Sequence, residues 1–417
     1  MHSWLGAFAP RVSRTCALYA LACAGALCAG AAQAQDFQVH GFADLRVVSS
    51  ADDASWTHGA LGKTRYGDGD GLRVGAAALN FTWQASPALL LLADVRTQPQ
   101  DHAHIGLVEA FARYRPVSTD AWRWSIKGGA FFAPISLEND AIAWTSLWTL
   151  TPSAINTWVG EELRTLGAEF RLEHRGERTT FEVAGALFAA NDPVGEILYA
   201  RGWAMGDLVY GLGTRLREAD VYAAWIGAPA PHRYDPFVEI DHSVGYYADV
   251  TWRSPLGRAT VLYYDNQADP SAYHALNQGD DLFAWRTKFT SAGAQTAFGN
   301  TTLIGQAMAG TTEIAPPGFR GEAHFAAAYL LAGWNLGAWR PALRVDAFQT
   351  RQDPAFPPAL SEHGNALTVA LNWKPLDWLR LTGEALRVDS VRDQRLQLGQ
   401  TPRQIDKQLQ FNARILF

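Results

Sequence analysis

The sequence predicts an all-β fold, a 16-stranded antiparallel transmembrane β-barrel with short periplasmic turns and long extracellular loops. Apolar and polar residues alternate along segment after segment, which is the period of a β-strand. No apolar run after residue 34 approaches the roughly 20 residues that a membrane helix needs, so a membrane-spanning chain would have to close as a barrel. The chain also ends on an alternating segment with a terminal aromatic residue, Phe417.

Residues 1–34 have the features of a cleaved secretory signal peptide. Arg11 and Arg14 precede the apolar run CALYALACAGALCAGAA, and an A-x-A cleavage site ends at Ala34. All three cysteines lie in this segment, so the remaining chain has no disulfide or thiolate metal site. Residues 35–417 are predicted to form one barrel domain.

The composition narrows the class of protein. The chain carries 35 basic and 41 acidic residues, a formal charge of −6, which argues against a nucleic-acid partner. A soluble series of β-sandwiches is the competing fold, but it would need two or three domains and linkers between them. The sequence has no Ser/Pro-rich or low-complexity linker after the signal peptide.

The connections between strands alternate between short and long. Tight turns rich in Pro, Gly, Ser and Asp join the strands at one end. The expected strand starts are Phe37, Leu72, Ala88, Ile105, Trp122, Leu163, Thr179, Val244, Ala259, Leu282, Thr301, Ala323, Pro341, Asn365, Leu379 and Ile405. The long connections are expected at 49–71, 135–162, 191–243, 266–280, 311–322, 351–364 and 391–404. Long loops at one mouth and tight turns at the other are typical of outer-membrane barrels.

Aromatic residues cluster where strands meet the short turns. In a barrel these positions form one belt at the level of a membrane interface. The belt is predicted to contain Trp83, Tyr114, Trp122, Trp252, Trp373, Trp378 and Phe417.

The last strand defines which face meets lipid. An arginine at the lipid midplane would cost about 2–4 kcal/mol, so Arg414 and the polar residues of its parity are assigned to the interior. The lipid-facing residues are then Leu409, Phe411, Ala413, Ile415 and Phe417. This ending resembles the C-terminal signature of Gram-negative outer-membrane barrels, which implies that Phe417 is an insertion signal for the barrel assembly machinery.

The same parity predicts a charged and hydrated lumen, because a packed interior could not accept so many ions without pairing all of them. Most of these charges are expected to pair across strands and to stiffen the wall. The basic surplus is expected to form an electropositive stripe. The predicted pore-lining residues are Arg46, Arg96, Arg113, Arg115, Lys127, Arg171, Arg286, Lys288, Arg344, Arg380 and Arg414.

The stretch WSIKGGAFFAPISLEND and the following TPSAINTWVGEELRTLGAEFRLE resemble the fifth strand, third loop and sixth strand of the phosphate-selective porins O and P. The matching residues are Gly129, Phe131, Pro134, Leu137, Glu138, Pro152, Ser153, Asn156 and Gly160. The resemblance implies a homotrimeric channel whose third loop, here 135–162, folds inward as the constriction.

The predicted constriction loop departs from that family in its charge. It has no Lys or Arg before Arg164 and offers four acids instead, Glu138, Asp140, Glu161 and Glu162. Phosphate specificity is therefore not expected, and the opposing charges of loop and wall predict weak net ion selectivity. The loop also carries Trp144, Trp148 and Trp158, which could stack on sugars or anchor the loop to the wall or to another subunit.

The sequence favours a passive channel for small hydrophilic solutes or ions in the outer membrane of a Gram-negative cell. An enzyme would need a nucleophile or acid–base constellation, and the histidines form no short motif with Ser or Asp. No cofactor or metal site is predicted. A receptor or adhesin barrel would have a blocked lumen, and a substrate-specific anion or sugar channel is a further alternative. The apolar segment 191–243 is expected to form a cap or short helix over the outer mouth.

Overall fold

Sixteen antiparallel strands close into one barrel, each paired with its neighbours in chain order. The structure is a computed structural model that describes residues 36–50, 53–67, 69–99, 105–219, 233–274, 282–353 and 360–417. The predicted signal peptide lies outside the described residues. The barrel confirms the predicted fold class and strand number.

The strands are numbered β1 to β16 around the barrel. Each observed strand begins within four residues of a predicted start. Their bounds are Phe37–Ser50, Gly71–Ser86, Leu89–Thr97, Gly106–Tyr114, Trp122–Phe131, Thr165–Arg175, Thr180–Ala189, Gly245–Ser254, Gly257–Asp265, Arg286–Phe298, Thr301–Ile314, Gly321–Trp334, Trp339–Asp353, Glu362–Leu376, Leu379–Arg392 and Arg403–Leu416.

The barrel closes where β1 meets β16. Phe42 is the register partner of Leu416, and the pairing runs to Ser50 and Gln408. Gly41 N donates to Phe417 O at 2.7 Å, and Phe417 N donates to Gly41 O at 3.1 Å. A side chain at Gly41 would meet the Phe417 ring at 2.5 Å. The last residue is therefore part of the seam.

Exposed aromatic rings gather at the turn end of the barrel, as the sequence predicts. Trp122 is 56% exposed, Trp378 is 52% exposed and Phe417 is 59% exposed. Trp339 and Trp373 lie opposite each other, with their rings stacked at 5.1 Å. This belt marks one membrane interface.

The outer face of the barrel is largely apolar. Arg286 and Lys288, which the sequence assigns to the lumen, lie on this outer face instead. Thr287, which lies between them on β10, and Phe289, which follows Lys288, are both buried toward the interior. Arg286 and Lys288 consequently face outward. Lys288 precedes Phe298 by ten residues, about 25 Å of height at ~3.3 Å per residue and ~40° of tilt, so it lies at the loop-side interface and outside the hydrocarbon.

Small elements occupy the long connections. Helix α1 spans Ala154–Glu162 and helix α2 spans Glu196–Ala200. Two 3-10 helices span Trp56–His58 and Asp393–Leu398. Two-residue strands pair Leu216–Arg217 with Arg233–Tyr234, and Tyr273–His274 with Leu282–Phe283. Among the described residues, no helix is long and apolar enough to cross a membrane.

We expect deletion of Phe417 to lower the amount of folded barrel in the outer membrane while leaving synthesis and export intact. Gly41→Val should impair the same seam, because its side chain would collide with the Phe417 ring and with the Ala78 carbonyl of β2. Heat-modifiable migration on gels measures the folded fraction. Gly383→Ala is the matched control, since a Cβ there meets Phe411 at an ordinary 3.5 Å. Normal folded levels of both the Phe417 deletion and the Gly41→Val variant would contradict a role of the Gly41–Phe417 contact in barrel closure.

Candidate functional site: the barrel lumen

Two chain segments, 132–164 and 190–212, fold into the lumen and pack against its wall. The first segment contains α1, which begins where Ser153 Oγ accepts a hydrogen bond from Asn156 N at 3.3 Å. All nine helical residues are buried. The first segment contains the predicted constriction loop, 135–162. Residues 191–212 belong to the segment 191–243 that was predicted to form a cap, and they contact Gln352 and Glu362 near the loop-side ends of their strands.

Aromatic packing joins the two segments to the strands. The Trp158 ring of α1 contacts Phe325 of β12 at 5.2 Å, Phe289 of β10 at 5.6 Å and Trp203 of the second segment at 6.0 Å, all edge-on. Such pairs contribute about 0.5–1.5 kcal/mol each beyond their buried area. One side of the lumen is therefore a packed core.

Wall charges hold the backbone of the first segment. Arg344 Nη1 donates to Thr151 O at 2.7 Å, and Arg344 Nη2 donates to Pro152 O at 2.9 Å. Leu150 N donates to Glu384 Oε2 at 2.6 Å. Glu138 accepts from Ser153 N at 2.7 Å and lies 3.3 Å from Arg344, both side chains being fully buried. Arg344 and Glu138 thus anchor the segment and do not meet solute.

The tryptophans of this segment are also anchors. Trp144 stacks on Phe132 at 3.8 Å, and its Nε1 donates to Asn156 O at 3.1 Å. Trp148 lies under the Arg340 guanidinium at 5.2 Å. Since Trp158 is also enclosed, the three rings offer no exposed face for sugar stacking.

The remaining predicted loop acids have different surroundings. Glu161 is fully buried, pairs with Arg201 and accepts from Trp56 Nε1 at 3.2 Å. Asp140 is the exception, with a side chain 52% exposed and 3.7 Å from Arg258. Of the loop acids singled out in the sequence, Asp140 alone can act directly on a passing ion.

Asp207 fastens the second segment to the wall. Its carboxylate lies 2.7 Å from Arg46 of β1 and 2.8 Å from Arg65. Arg96 of β3 donates to the Asp207 carbonyl at 2.5 Å and to Ala143 O at 3.1 Å, so it contacts both inward segments. Burial alone would raise the pKa of Asp207, but the Arg46 and Arg65 guanidinium groups hold that pKa well below its usual range.

Three buried glutamates meet where the two segments join. Glu162, at the end of α1, accepts from Ile197 N at 3.1 Å and so caps α2. Burial, followed by the neighbouring Glu162 carboxylate, raises the pKa of Glu218 to about 8. Burial and repulsion from Glu218 and Glu162 also raise the pKa of Glu196 well above its usual value. These acids are compatible with the packed arrangement when Glu196 and Glu218 are protonated.

One group of carboxylates could hold a divalent cation by its geometry. Asp192, Glu239 and Asp241 bring ligand oxygens within 4.8 Å of one another. Asp192 Oδ2 already accepts a hydrogen bond from Ile240 N at 2.5 Å, which is a contact that stabilises the loop conformation. Burial, opposed by that hydrogen bond and reinforced by Glu239 and Asp241, raises the pKa of Asp192 to about 7.

Among the described residues, an open basin of about 410 Å³ lies in the lumen along β4 to β8. Six basic and three acidic side chains line it. Arg171 lies 2.8 Å from Glu182, 3.3 Å from Glu169 and 3.4 Å from Asp249, while Lys127 lies 3.5 Å from Glu169. These pairs stiffen the wall, as the sequence predicts for most lumen charges.

The basic surplus of the basin lies at its turn end. Arg113, Arg115 and Arg123 line the basin, and none of them forms an ion pair with another described residue. The Arg123 Nε atom is buried without a hydrogen-bond acceptor among those residues. Because these guanidinium groups are not ion-paired and the basic side chains of the basin outnumber the acidic ones, this part of the lumen has a positive potential.

The predicted pore-lining residues fall into three groups. Arg113, Arg115, Lys127 and Arg171 line the basin. Arg46, Arg96, Arg344 and Arg414 face inward but are buried, and Arg380 is partly buried opposite Arg414. Arg286 and Lys288 face outward. The sequence does not reveal which of the inward-facing arginines an inward segment covers.

Sequence reasoning also missed residues of this site. Arg123 has the same parity as Lys127 on β5 and could have been found by alternation. Asp207 offered a weaker signal, a single acid inside the apolar run WAMGDLVYGL. Nothing in the sequence pairs Asp207 with Arg46 or Arg65.

We expect Asp207→Ala to loosen the second segment, because removing one partner of a buried ion pair costs about 3–5 kcal/mol. Single-channel recording should then show larger and noisier currents, with a lower thermal unfolding temperature. Asp140→Asn is the matched control at an exposed acid. Unchanged currents and unchanged thermal unfolding in the Asp207 variant would contradict the assignment.

The packing of 190–219 should weaken at alkaline pH. The raised pKa of Glu218 means that its stabilising protonation is complete below its ordinary pKa of 4.5 and is lost as pH rises through about 8. We expect limited proteolysis of this region to accelerate between pH 6 and pH 9, and Glu218→Gln to flatten the dependence. An equally steep profile in that variant would assign the effect to another group.

Comparison with known proteins identifies the fold of this chain but does not assign the chain to a family. No protein-family model matches the chain, and no curated protein sequence does. The outer membrane channel DcaP of Acinetobacter baumannii is 13% identical, with a TM-score of 0.56 over 92% of this chain and 97% of that one. OmpF of Salmonella typhi, in complex with daunomycin, is 11% identical, with a TM-score of 0.51 over 91% and 97%.

A trimer form of OmpT, an outer membrane protein of Vibrio cholerae, gives a TM-score of 0.51 at 9% identity over 92% of this chain and 99% of that one. These identities carry an argument about architecture alone. The chain has the closed 16-stranded fold of outer-membrane porins, consistent with a multi-pass barrel of the outer membrane.

Proposed function

We propose that this protein is an outer-membrane diffusion channel for small hydrophilic solutes or ions, with a weak preference for anions. The observation that supports it is the basin along β4 to β8, where six basic side chains face three acidic ones and where Arg113, Arg115 and Arg123 form no ion pair with another described residue. A hydrated wall with a net positive surplus attracts anions without binding them tightly.

The anion preference follows from which charges remain accessible. Glu138 and Glu161 are buried in ion pairs and cannot attract cations into the path. Asp140 is accessible, but Arg258 lies 3.7 Å from it. The net charge that the loop and the wall together expose to the lumen is therefore more positive than the sequence alone suggests.

A substrate-specific anion channel is the second candidate. The sequence resemblance to phosphate-selective porins covers the first inward segment, and the three arginines of the basin are suited to bidentate contacts with phosphate or carboxylate oxygens. A specific site would give saturating currents at low anion concentration, whereas a diffusion channel would not. A sugar channel has less support, because Trp144, Trp148 and Trp158 are enclosed.

We also propose a homotrimer. The comparison protein from Vibrio cholerae was solved in a trimer form. Outward-facing alanines on adjacent strands, at Ala307, Ala328 and Ala347, give part of this barrel a smooth outer surface that another subunit could cover.

Reversal potentials in a salt gradient across planar bilayers test the function. The wild-type channel should be modestly anion-preferring, and Arg113→Gln, Arg115→Gln and Arg123→Gln together should abolish that preference while conductance persists. Lys374→Gln is the control, since Lys374 lies at the turn end beside Asp377 and outside the basin. The absence of channel currents from refolded protein would overturn the function. Currents with an unaltered reversal potential in the triple variant would overturn the selectivity.

A further inference from the structure

An arginine without a partner lies in the lumen wall at the turn end of β15. Arg380 is two residues from the exposed belt residue Trp378, and it forms no ion pair or hydrogen bond with another described residue. Its Nε atom is buried without an acceptor among those residues. Because a desolvated guanidinium without an acceptor is costly, a counter-charge at this position would stabilise the wall.

A second arginine faces Arg380 directly across the sheet. Arg414 of β16 is its register partner, and both side chains belong to the lumen face of their strands. Like charges in this arrangement repel each other. The nearby Asp44 carboxylate is already occupied, because it accepts from Arg414 Nε and Nη2 at 2.7 Å each and from Arg46 Nη2 at 2.9 Å. It therefore neutralises Arg414 and leaves Arg380 uncompensated.

A third arginine borders the same patch. Arg340 of β13 is the register partner of Asn372, which pairs in turn with Thr382, two residues from Arg380. Arg340 Nε donates to Asn335 Oδ1 at 2.9 Å, but Arg340 forms no ion pair with another described residue. Arg340 and Arg380 are thus the surplus positive charges of this patch.

The patch is separate from the basin that supports the proposed channel function. Among the described residues, none on β13 to β16 lines that basin, and β1 to β3 lie between β16 and β4 around the barrel. The two groups of arginines therefore face the lumen from different sides of its turn end.

We propose that Arg340, Arg380 and Arg414 hold a small oxyanion, a carboxylate or a phosphate, as a fixed counter-ion of the lumen wall at its turn end. The planar guanidinium fork matches two oxygens of either group, and such charge-assisted hydrogen bonds are roughly twice as strong as neutral ones. The bound oxyanion supplies the acceptor that Arg380 Nε lacks and relieves the repulsion between Arg380 and Arg414. Chloride offers no pair of oxygens and is the weaker ligand.

Thermal unfolding of the refolded, detergent-solubilised full barrel tests this site, because a ligand that binds only the folded state raises the unfolding temperature. Acetate and inorganic phosphate are the probes, each exchanged for chloride at constant ionic strength. The unfolding temperature of the wild type should rise and saturate with at least one probe. A response to one probe alone supports the site and identifies its oxyanion.

Two sets of variants separate this site from the basin. Arg113→Gln, Arg115→Gln and Arg123→Gln together should leave a saturable response, whereas adding Arg380→Gln to them should raise the half-saturating concentration at least about tenfold. Arg380→Gln alone should unfold at a higher temperature than the wild type when no probe is present, since the repulsion from Arg414 is removed. A purely structural role of Arg380 would lower that temperature instead and would contradict the proposal.

Arg387→Gln is the matched control on the same strand. Arg387 lies on the outer face of β15, 3.1 Å from Asp389, so its replacement should leave the response to the probes intact. Arg340→Gln replaces Arg380→Gln if that variant does not fold, and it should weaken the response in the same direction. A response that chloride reproduces, or one that survives both arginine replacements unchanged, would refute the site. The measurement needs no ion current, so its outcome is independent of whether the barrel conducts.

Discussion

The seam between β1 and β16 is the constraint on which the rest of the molecule depends. In hydrocarbon a backbone N–H or C=O without a partner costs several kcal/mol, so an open sheet edge cannot remain there. The paired hydrogen bonds between Gly41 and Phe417 remove the last edge at the turn end. Closure then divides each strand into a lipid face and a lumen face, and every later property of the protein follows from that division.

The lumen face supports two environments in one barrel. On the side of β10 to β13, Phe289, Phe325 and Trp158 build an apolar core that the inward segments complete. Along β4 to β8, charged side chains remain around an open basin. Buried cations such as Arg344 hold the first inward segment against the wall, because leaving a buried guanidinium without carbonyl and carboxylate partners would be far more costly than ordering a loop around it.

The charged residues of this protein therefore have three roles, which the alternation of polar and apolar residues along a strand does not by itself distinguish. Asp207 with Arg46 and Arg65 joins a loop to the wall. Arg113 gives the basin its potential. Arg387 belongs to the outer interface, where charge is compatible with headgroups but not with hydrocarbon. Each role depends on depth in the membrane and on what covers the side chain, in addition to which face it occupies.

The sequence by itself determined the number of strands, their starts to within four residues, the aromatic belt and the face of most residues. It could do so because a period of two and the residues that form turns are local properties of the chain. It misplaced Arg286 and Lys288, where a short irregular stretch before β10 shifts the alternation. Only the tertiary structure decided that Glu138 and Arg344 are buried together and that 190–212 enters the lumen. Those outcomes depend on contacts between residues more than 100 positions apart, whose pairing no local pattern encodes.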